Sequence, residues 1–205
     1  MDQKTKEKLK KEIKELKKLP GEQRGEHIKY YIDYVRKQEG EKGLDKLGKF
    51  LKKEAGFALS DLEKKADMEM IPEIYPQIFF VAAARFFNWS EKEIFKLGSN
   101  IVSISPTIKI FVKYFITLEK TAKEAMKTWN KSFTRGQMEL KSFDGKNRKA
   151  KVVLKNFEAH PLTCIQFRGA LSRMVENASG SNQVKIKEVK CMSQGDDHHE
   201  FHIEW

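Results

Sequence analysis

The chain has 205 residues, a formal charge of +11 and only two cysteines. That length suffices for a sizeable core, two thiols exclude a disulfide framework, and a lysine-rich chain with so few cysteines fits a reducing cytoplasm. No apolar run approaches the ~18 residues of a membrane span, and the opening MDQKTKEKLKKEIKELKK lacks the apolar centre of a signal peptide.

The charge is unevenly spread. Residues 107–156 hold 13 basic and 4 acidic side chains, whereas residues 157–205 hold 5 and 7. Arg135, Lys146, Arg148, Lys149 and Lys151 crowd one hairpin. Such a segment attracts polyanions, but no nucleic-acid motif accompanies it, so specific nucleic-acid binding is not expected.

In chain order, a helix is predicted over 3–18, with Leu9, Ile13 and Leu16 as a narrow apolar stripe and Pro20-Gly21 as its end. We read residues 1–20 as a basic helical appendage and 21–205 as one domain. A second helix, 24–38, carries Ile28, Tyr31, Ile32 and Val35 on one face and closes at Gly40. A third, 43–54, places Leu44, Leu47, Phe50 and Leu51 at core spacing, and Ser60 caps a short fourth. Residues 71–88 form the most apolar run, helical by its Ala82-Ala83-Ala84 centre, with Pro76 in the first turn, where it costs least. Ser90-Glu91-Lys92-Glu93 is a capping box. Pro106 opens a long helix to about residue 131.

The period then changes from 3.6 to 2. Met138, Leu140 and Ser142 alternate with polar neighbours, Asp144-Gly145 turns the chain, and 150–157 returns. A helix over 162–177 and a second hairpin, 184–191 and 198–204, complete the chain. Helices followed by β-β-α-β-β read as an α+β fold, an antiparallel sheet packed against helices.

The last quarter gathers four potential metal ligands: Cys164, Glu188, Cys191 and His199. Cys, His and Glu form a borderline donor set that zinc accepts, although buried cysteines are also ordinary core residues. On the last strand, His199, Phe201, Ile203 and Trp205 point one way and His198, Glu200, His202 and Glu204 the other. His198 and His202 therefore read as solvated. Val184 and Ile186 are out of phase with Cys191, which requires a bulge, placed near Lys187-Glu188, if Glu188 and Cys191 are to share a face. Cys164 at a helix start is expected to have a favoured thiolate.

These residues carry a resemblance. His160-Pro161-Leu162-Thr163-Cys164 with Phe167-Arg168-Gly169, then Glu188-x-x-Cys191-x3-Gly195-Asp196-x2-His199-x-Phe201, resembles the C-terminal half of the 4-vinyl-reductase domain over about residues 157–205. That domain belongs to a wider group with aromatic-sensing regulatory domains, haem nitric-oxide-binding domains and transport-particle tethering subunits. The resemblance implies a structural metal beneath a ligand pocket, held by three cysteines and a glutamate. Cys164 matches the first cysteine, Glu188 and Cys191 the E-x-x-C pair, and His199 stands where the last cysteine would be. His is a competent zinc ligand, so the departure keeps a site or marks its loss.

By the same resemblance, Phe79, Phe80, Phe111, Tyr114, Phe115 and Trp129 line a site for a small apolar or aromatic ligand. Haem is excluded on this reading, because the haem-binding members use a proximal histidine on a helix before the sheet and residues 28–159 have none. No catalytic motif is present: no phosphate loop, no G-x-S-x-G, no helical His-Glu metal pair. The sequence therefore implies a non-catalytic, ligand-binding sensor domain with a zinc site, acting as a homodimer or through a partner protein. Its alternative is a tethering module of the transport-particle type, docking through helix 3–18 and the basic segment.

Overall fold

The computed structural model describes residues 2–104 and 118–205, with backbone only at 103, 104, 118, 121–123 and 125. It divides into two compact units, Met1–Ser90 and Glu91–Trp205. Helices lead and an antiparallel sheet follows, the α+β order that the sequence predicts.

The first unit contains α1 (Gln3–Leu16), β1 (Glu22–Arg24), α2 (Glu26–Glu54), α3 (Leu59–Glu63), β2 (Met70–Pro72) and α4 (Ile74–Phe86). Asp2 caps α1, its carboxylate accepting from the backbone N–H of Thr5 at 2.9 Å. Helix α4 is buried along its whole central stretch, Gln77 to Ala84, as a helix that is apolar all round must be. Both α1 and α2 pack against it. The α1 stripe Leu9, Ile13 and Leu16 is therefore consumed inside the unit rather than offered for docking. Arg85 of α4 fixes it further with two bonds to the Glu12 carboxylate, 2.8 and 3.1 Å.

The two helices predicted at 24–38 and 43–54 both form: α2 is two helical stretches that meet at Gly40, whose φ of 71° and ψ of 171° leave the helix. Strands β1 and β2, paired antiparallel, are not apparent in the sequence. Three residues are too few to show an alternation.

The second unit contains α5 (Glu91–Ile104), α6 (Leu118–Ser132), β3 (Gln137–Asp144), β4 (Lys149–Lys155), α7 (Pro161–Ser179), β5 (Lys185–Lys190), a 3-10 turn (Met192–Gln194) and β6 (His198–Glu204). Residues 106–117 of the helix predicted from Pro106 lie outside the described residues; α6 covers the remaining predicted stretch. The sheet order is β3-β4-β6-β5, all antiparallel.

His160 caps α7 by accepting from the Leu162 N–H at 3.2 Å, Pro161 takes the first position, and left-handed Gly180 ends the helix. Helices α5 and α7 cross in backbone contact. A Cβ added at Gly98 would lie 2.0 Å from the Gln166 carbonyl oxygen, and one at Gly169 2.0 Å from that of Phe95. Ser99 seals the crossing with a 3.0 Å bond to the Gly169 carbonyl.

Candidate metal centre

Each of the four sequence-predicted ligands is delivered by a different local device. Cys164 sits in the first turn of α7, which Pro161 and the His160 cap begin. Cys191 ends β5 and enters the 3-10 turn, where its backbone N–H donates to Asp196 Oδ2 at 2.7 Å. His199 lies on the inner face of β6 with Phe201 and Ile203, wholly buried.

Glu188 depends on the bulge. Glu188 pairs with Phe201 and Lys190 with Glu200, so Val189 is the extra residue. The bulge is thus one position beyond the Lys187-Glu188 predicted from the sequence, and Val189 is the residue turned out. Its effect is the required one. Glu188 and Cys191, three apart, come to the same side of the strand.

The four donor atoms lie within 4.8 Å of one another. The sulfurs of Cys164 and Cys191 are 3.3 Å apart, Cys164 Sγ is 3.7 Å from His199 Nδ1, and that nitrogen is 3.1 Å from Glu188 Oε1. A tetrahedral zinc, with bonds of about 2.3 Å to sulfur and about 2.0–2.1 Å to nitrogen or oxygen, spaces its donors by roughly 3.3–3.8 Å. The cluster has the size of one such shell.

The surroundings agree. His199 Nε2 donates to the Phe157 carbonyl at 3.0 Å, which turns Nδ1 toward the Glu188 carboxylate and the Cys164 sulfur. Ser193 Oγ lies 2.9 Å from Cys191 Sγ. Burial, then the Glu188 carboxylate and the Cys191 sulfur, push the Cys164 thiol up. This corrects the expectation of a dipole-favoured thiolate: desolvation outweighs the helix start, and only a bound cation would reverse it.

The supporting groups Phe157, Ser193 and Asp196 escape a sequence reading. A backbone carbonyl leaves no trace in composition, and Ser193 and Asp196 look like turn residues. His160, which is near Cys164 in sequence, is the helix cap.

The aromatic candidates divide between the two units and the undescribed segment. Phe79 and Phe80 are buried in the core of the first unit, where Phe80 stacks on Tyr31. Trp129 belongs to a cluster of the second unit with Phe133, Phe157 and Phe167. Phe111, Tyr114 and Phe115 lie outside the described residues. On the outer face of β6, His198 and His202 are not simply solvated, because both meet Glu200.

No family model matches the chain, and no curated protein matches it. Solved structures do. An H-NOX protein from S. oneidensis in the Fe(II)NO ligation state is 15% identical, with a TM-score of 0.65 over 88% of this chain and 98% of that one. A mutant H-NOX domain from Shewanella oneidensis in the Fe(II)CO ligation state is 16% identical, with a TM-score of 0.57 over 88% and 97%. A third, probing heme distortion in the H-NOX family, is 12% identical, with a TM-score of 0.58 over 89% and 94%. At these identities the likeness establishes the fold. It is a likeness to the fold of the H-NOX structures, and nothing in it points to the 4-vinyl-reductase branch in particular.

The exclusion of haem is corrected by this finding. It rested on one axial ligand, and the neighbours of this fold include structures described by their haem. Haem iron also accepts tyrosine, cysteine or methionine, and residues 28–159, histidine-free, contain tyrosines and methionines. The Cys164 cluster itself fits a small ion and not a porphyrin, since its donors close on a single point.

Proposed function

We propose that this chain is a non-catalytic sensor domain that binds a small molecule and braces its sheet with one structural zinc ion. Cys164, Glu188, Cys191 and His199 would hold the ion. The convergence of their donor atoms within 4.8 Å in a buried site is the observation that carries this reading. Two thiols, a carboxylate and an imidazole brought together out of water offer a cation a complete donor set once the thiol protons leave, and the likeness of residues 157–205 to the 4-vinyl-reductase domain supports zinc as that cation. His199 in place of a cysteine lowers the negative charge of the set by one.

The fold shared with the H-NOX structures supports the sensing half of the reading. The ligand is a small molecule, and the resemblance supplies its aromatic candidates, Phe79, Phe80, Phe111, Tyr114, Phe115 and Trp129. The signal passes to a second copy or to a partner protein in the cytoplasm. Native mass spectrometry of the purified chain, with metal analysis and an absorption spectrum, tests this. One zinc per chain supports the centre; a metal-free protein with freely titrating thiols overturns it. A Soret band would make haem the ligand, and any other retained small molecule would name itself by mass.

A further inference from the structure

The turn between β3 and β4 has its residue types in the reverse of the expected order. Arg148 takes a left-handed backbone, φ 54°, whereas Gly145 of the same turn has no positive φ. A position that favours Gly or Asn is thus filled by an exposed Arg, and a side chain kept on strained backbone points to a role beyond the turn. Nothing within the chain supplies that role. The Arg148 carbonyl accepts the Trp205 N–H at 3.2 Å, a backbone bond that any residue would make. Among the described residues its guanidinium has no hydrogen bond or ion pair.

The surroundings of Arg148 are basic, and their carboxylates are already engaged. Lys146 shares the turn. On the outer face at this end of the sheet, Lys149 and Lys185 flank Glu204, and Lys151 and Lys187 flank His202. Asp144 accepts from the Asn147 backbone and side-chain amides at 2.9 and 2.7 Å, Glu204 pairs with Lys149 at 3.3 Å, and Glu200 pairs with Lys151 at 3.2 Å. Lys146, Arg148, Lys185 and Lys187 are exposed and, among the described residues, have no carboxylate partner. Phe143 and Trp205, stacked at 5.5 Å between ring centroids and both half-buried, close the inner side of the same end.

We infer that this end of the sheet, the β3–β4 turn with its flanking lysines, docks a carboxylate-rich surface of a partner protein, with Arg148 as the anchor. A guanidinium takes a carboxylate through two parallel hydrogen bonds, and Arg beside Trp is the composition of interface hot spots. Asp144, Glu200 and Glu204, set among the cations, oppose a uniformly anionic surface of lipid or nucleic acid and suit a protein surface that carries both signs. A second copy in a two-fold contact would set these cations against themselves. The inference rests on the reading that the signal passes to a partner protein, and it is independent of the metal centre.

The test follows the backbone amide signals of the full chain by NMR as short poly-L-glutamate is added. Phosphatidylglycerol vesicles and duplex DNA serve as parallel probes, and metal content is measured on the same sample. Poly-L-glutamate should shift signals at 143–151, 185–187 and 203–205, less so as salt is raised. Arg148→Asn suits the left-handed backbone, so it should keep or raise the Tm while weakening binding about tenfold, as loss of a charge-assisted pair does. Arg148→Lys should weaken it severalfold, because an ammonium cannot make the two-bond pairing; an effect of charge alone would spare it. Lys4→Glu with Lys8→Glu on α1 should leave it unchanged. Shifts spread equally over the lysines of α1, or binding that Arg148→Asn leaves intact, overturn the site. Vesicle or DNA binding that Arg148→Asn abolishes overturns the protein partner. A zinc-free chain that still binds through Arg148 supports the docking end while sinking the metal centre.

Discussion

His199 gives its Nε2–H to the carbonyl oxygen of Phe157, 3.0 Å away, and the Phe157 ring meets Trp129 edge-on at 5.0 Å between centroids. One hydrogen bond thus joins the donor cluster to the aromatic cluster where the chain leaves β4. Arg135 adds a lid to that junction, its guanidinium 4.3 Å above the Phe157 ring and bonded to the Glu158 carbonyl at 2.8 Å.

Two substitutions separate the donor role of this junction from its structural one. Cys191→Ser should release the metal and loosen the last hairpin, because binding energy there is folding energy. His199→Cys should keep four donors, yet it strips the Phe157 carbonyl of its partner, a loss of about 1–3 kcal/mol for a buried acceptor. Metal content and thermal unfolding of both variants check this. A His199→Cys protein as stable as the parent would contradict the role given to the carbonyl.

The α5–α7 crossing should be intolerant of a single methyl group. In Gly98→Ala and Gly169→Ala the new carbon would meet a backbone oxygen at 2.0 Å, and backbone cannot rotate aside. Each should lose about 3 kcal/mol or more, the upper part of the overpacking range. Ser99→Ala, which forfeits one hydrogen bond, should lose about 1 kcal/mol. Urea midpoints that failed to separate the two classes would show that the helices part easily.

Acid should act in two windows. Burial, and next the Arg24 charge, lower His27 from 6.5 to about 4. The unfolded chain then binds a proton that the folded chain refuses, so the stability is full above pH 6.5 and lost as pH falls toward 4. At about 1.4 kcal/mol per pKa unit, the loss is of the order of 3–4 kcal/mol. Glu200 lies lower. His202 and then Lys151 and His198 hold its carboxylate down from 4.5 to about 2, so its contribution is present above pH 4.5 and fades as pH falls through 2. Denaturation profiles of His27→Gln and Glu200→Gln should each flatten one window and spare the other.

Helix α1 should behave as part of the first unit. Leu9 is fully buried, so Leu9→Ala should cost about 2–5 kcal/mol. Glu12→Gln weakens the partly exposed pair with Arg85 and should cost only about 1 kcal/mol. If removal of residues 1–17 left thermal unfolding unchanged, the packing of α1 on α4 would be immaterial.

Much of this was legible in the residues. The alternation His199, Phe201, Ile203 gives β6 its two faces, because a strand with one buried face tolerates no slip. The phase conflict between Ile186 and Cys191 announced a bulge, but not which residue absorbs it; that choice is made by pairing with β6, which no local pattern encodes. The crossing at Gly98 and Gly169 was missed although small pairs, Gly98-Ser99 and Gly169-Ala170, marked both helices. Within one chain, nothing says that two such pairs meet. The rise of the Cys164 thiol was missed for a similar reason: a helix start is visible in sequence, and the desolvation that overrides it is not.

The bulge at Val189 makes the donor set a matter of counting. Glu188 and Cys191 stand an odd number of residues apart, and the single turned-out residue restores the even step that a pleated strand requires. A chain shortened by Val189 alone would spell the same set as Glu-x-Cys on a regular strand, with both ligands still inward. Insertion of one residue beside Val189, by contrast, would need a second irregularity or would carry Cys191 to the opposite face with no ligand altered. The centre is thus written in the parity of one short strand as much as in the identity of its four side chains.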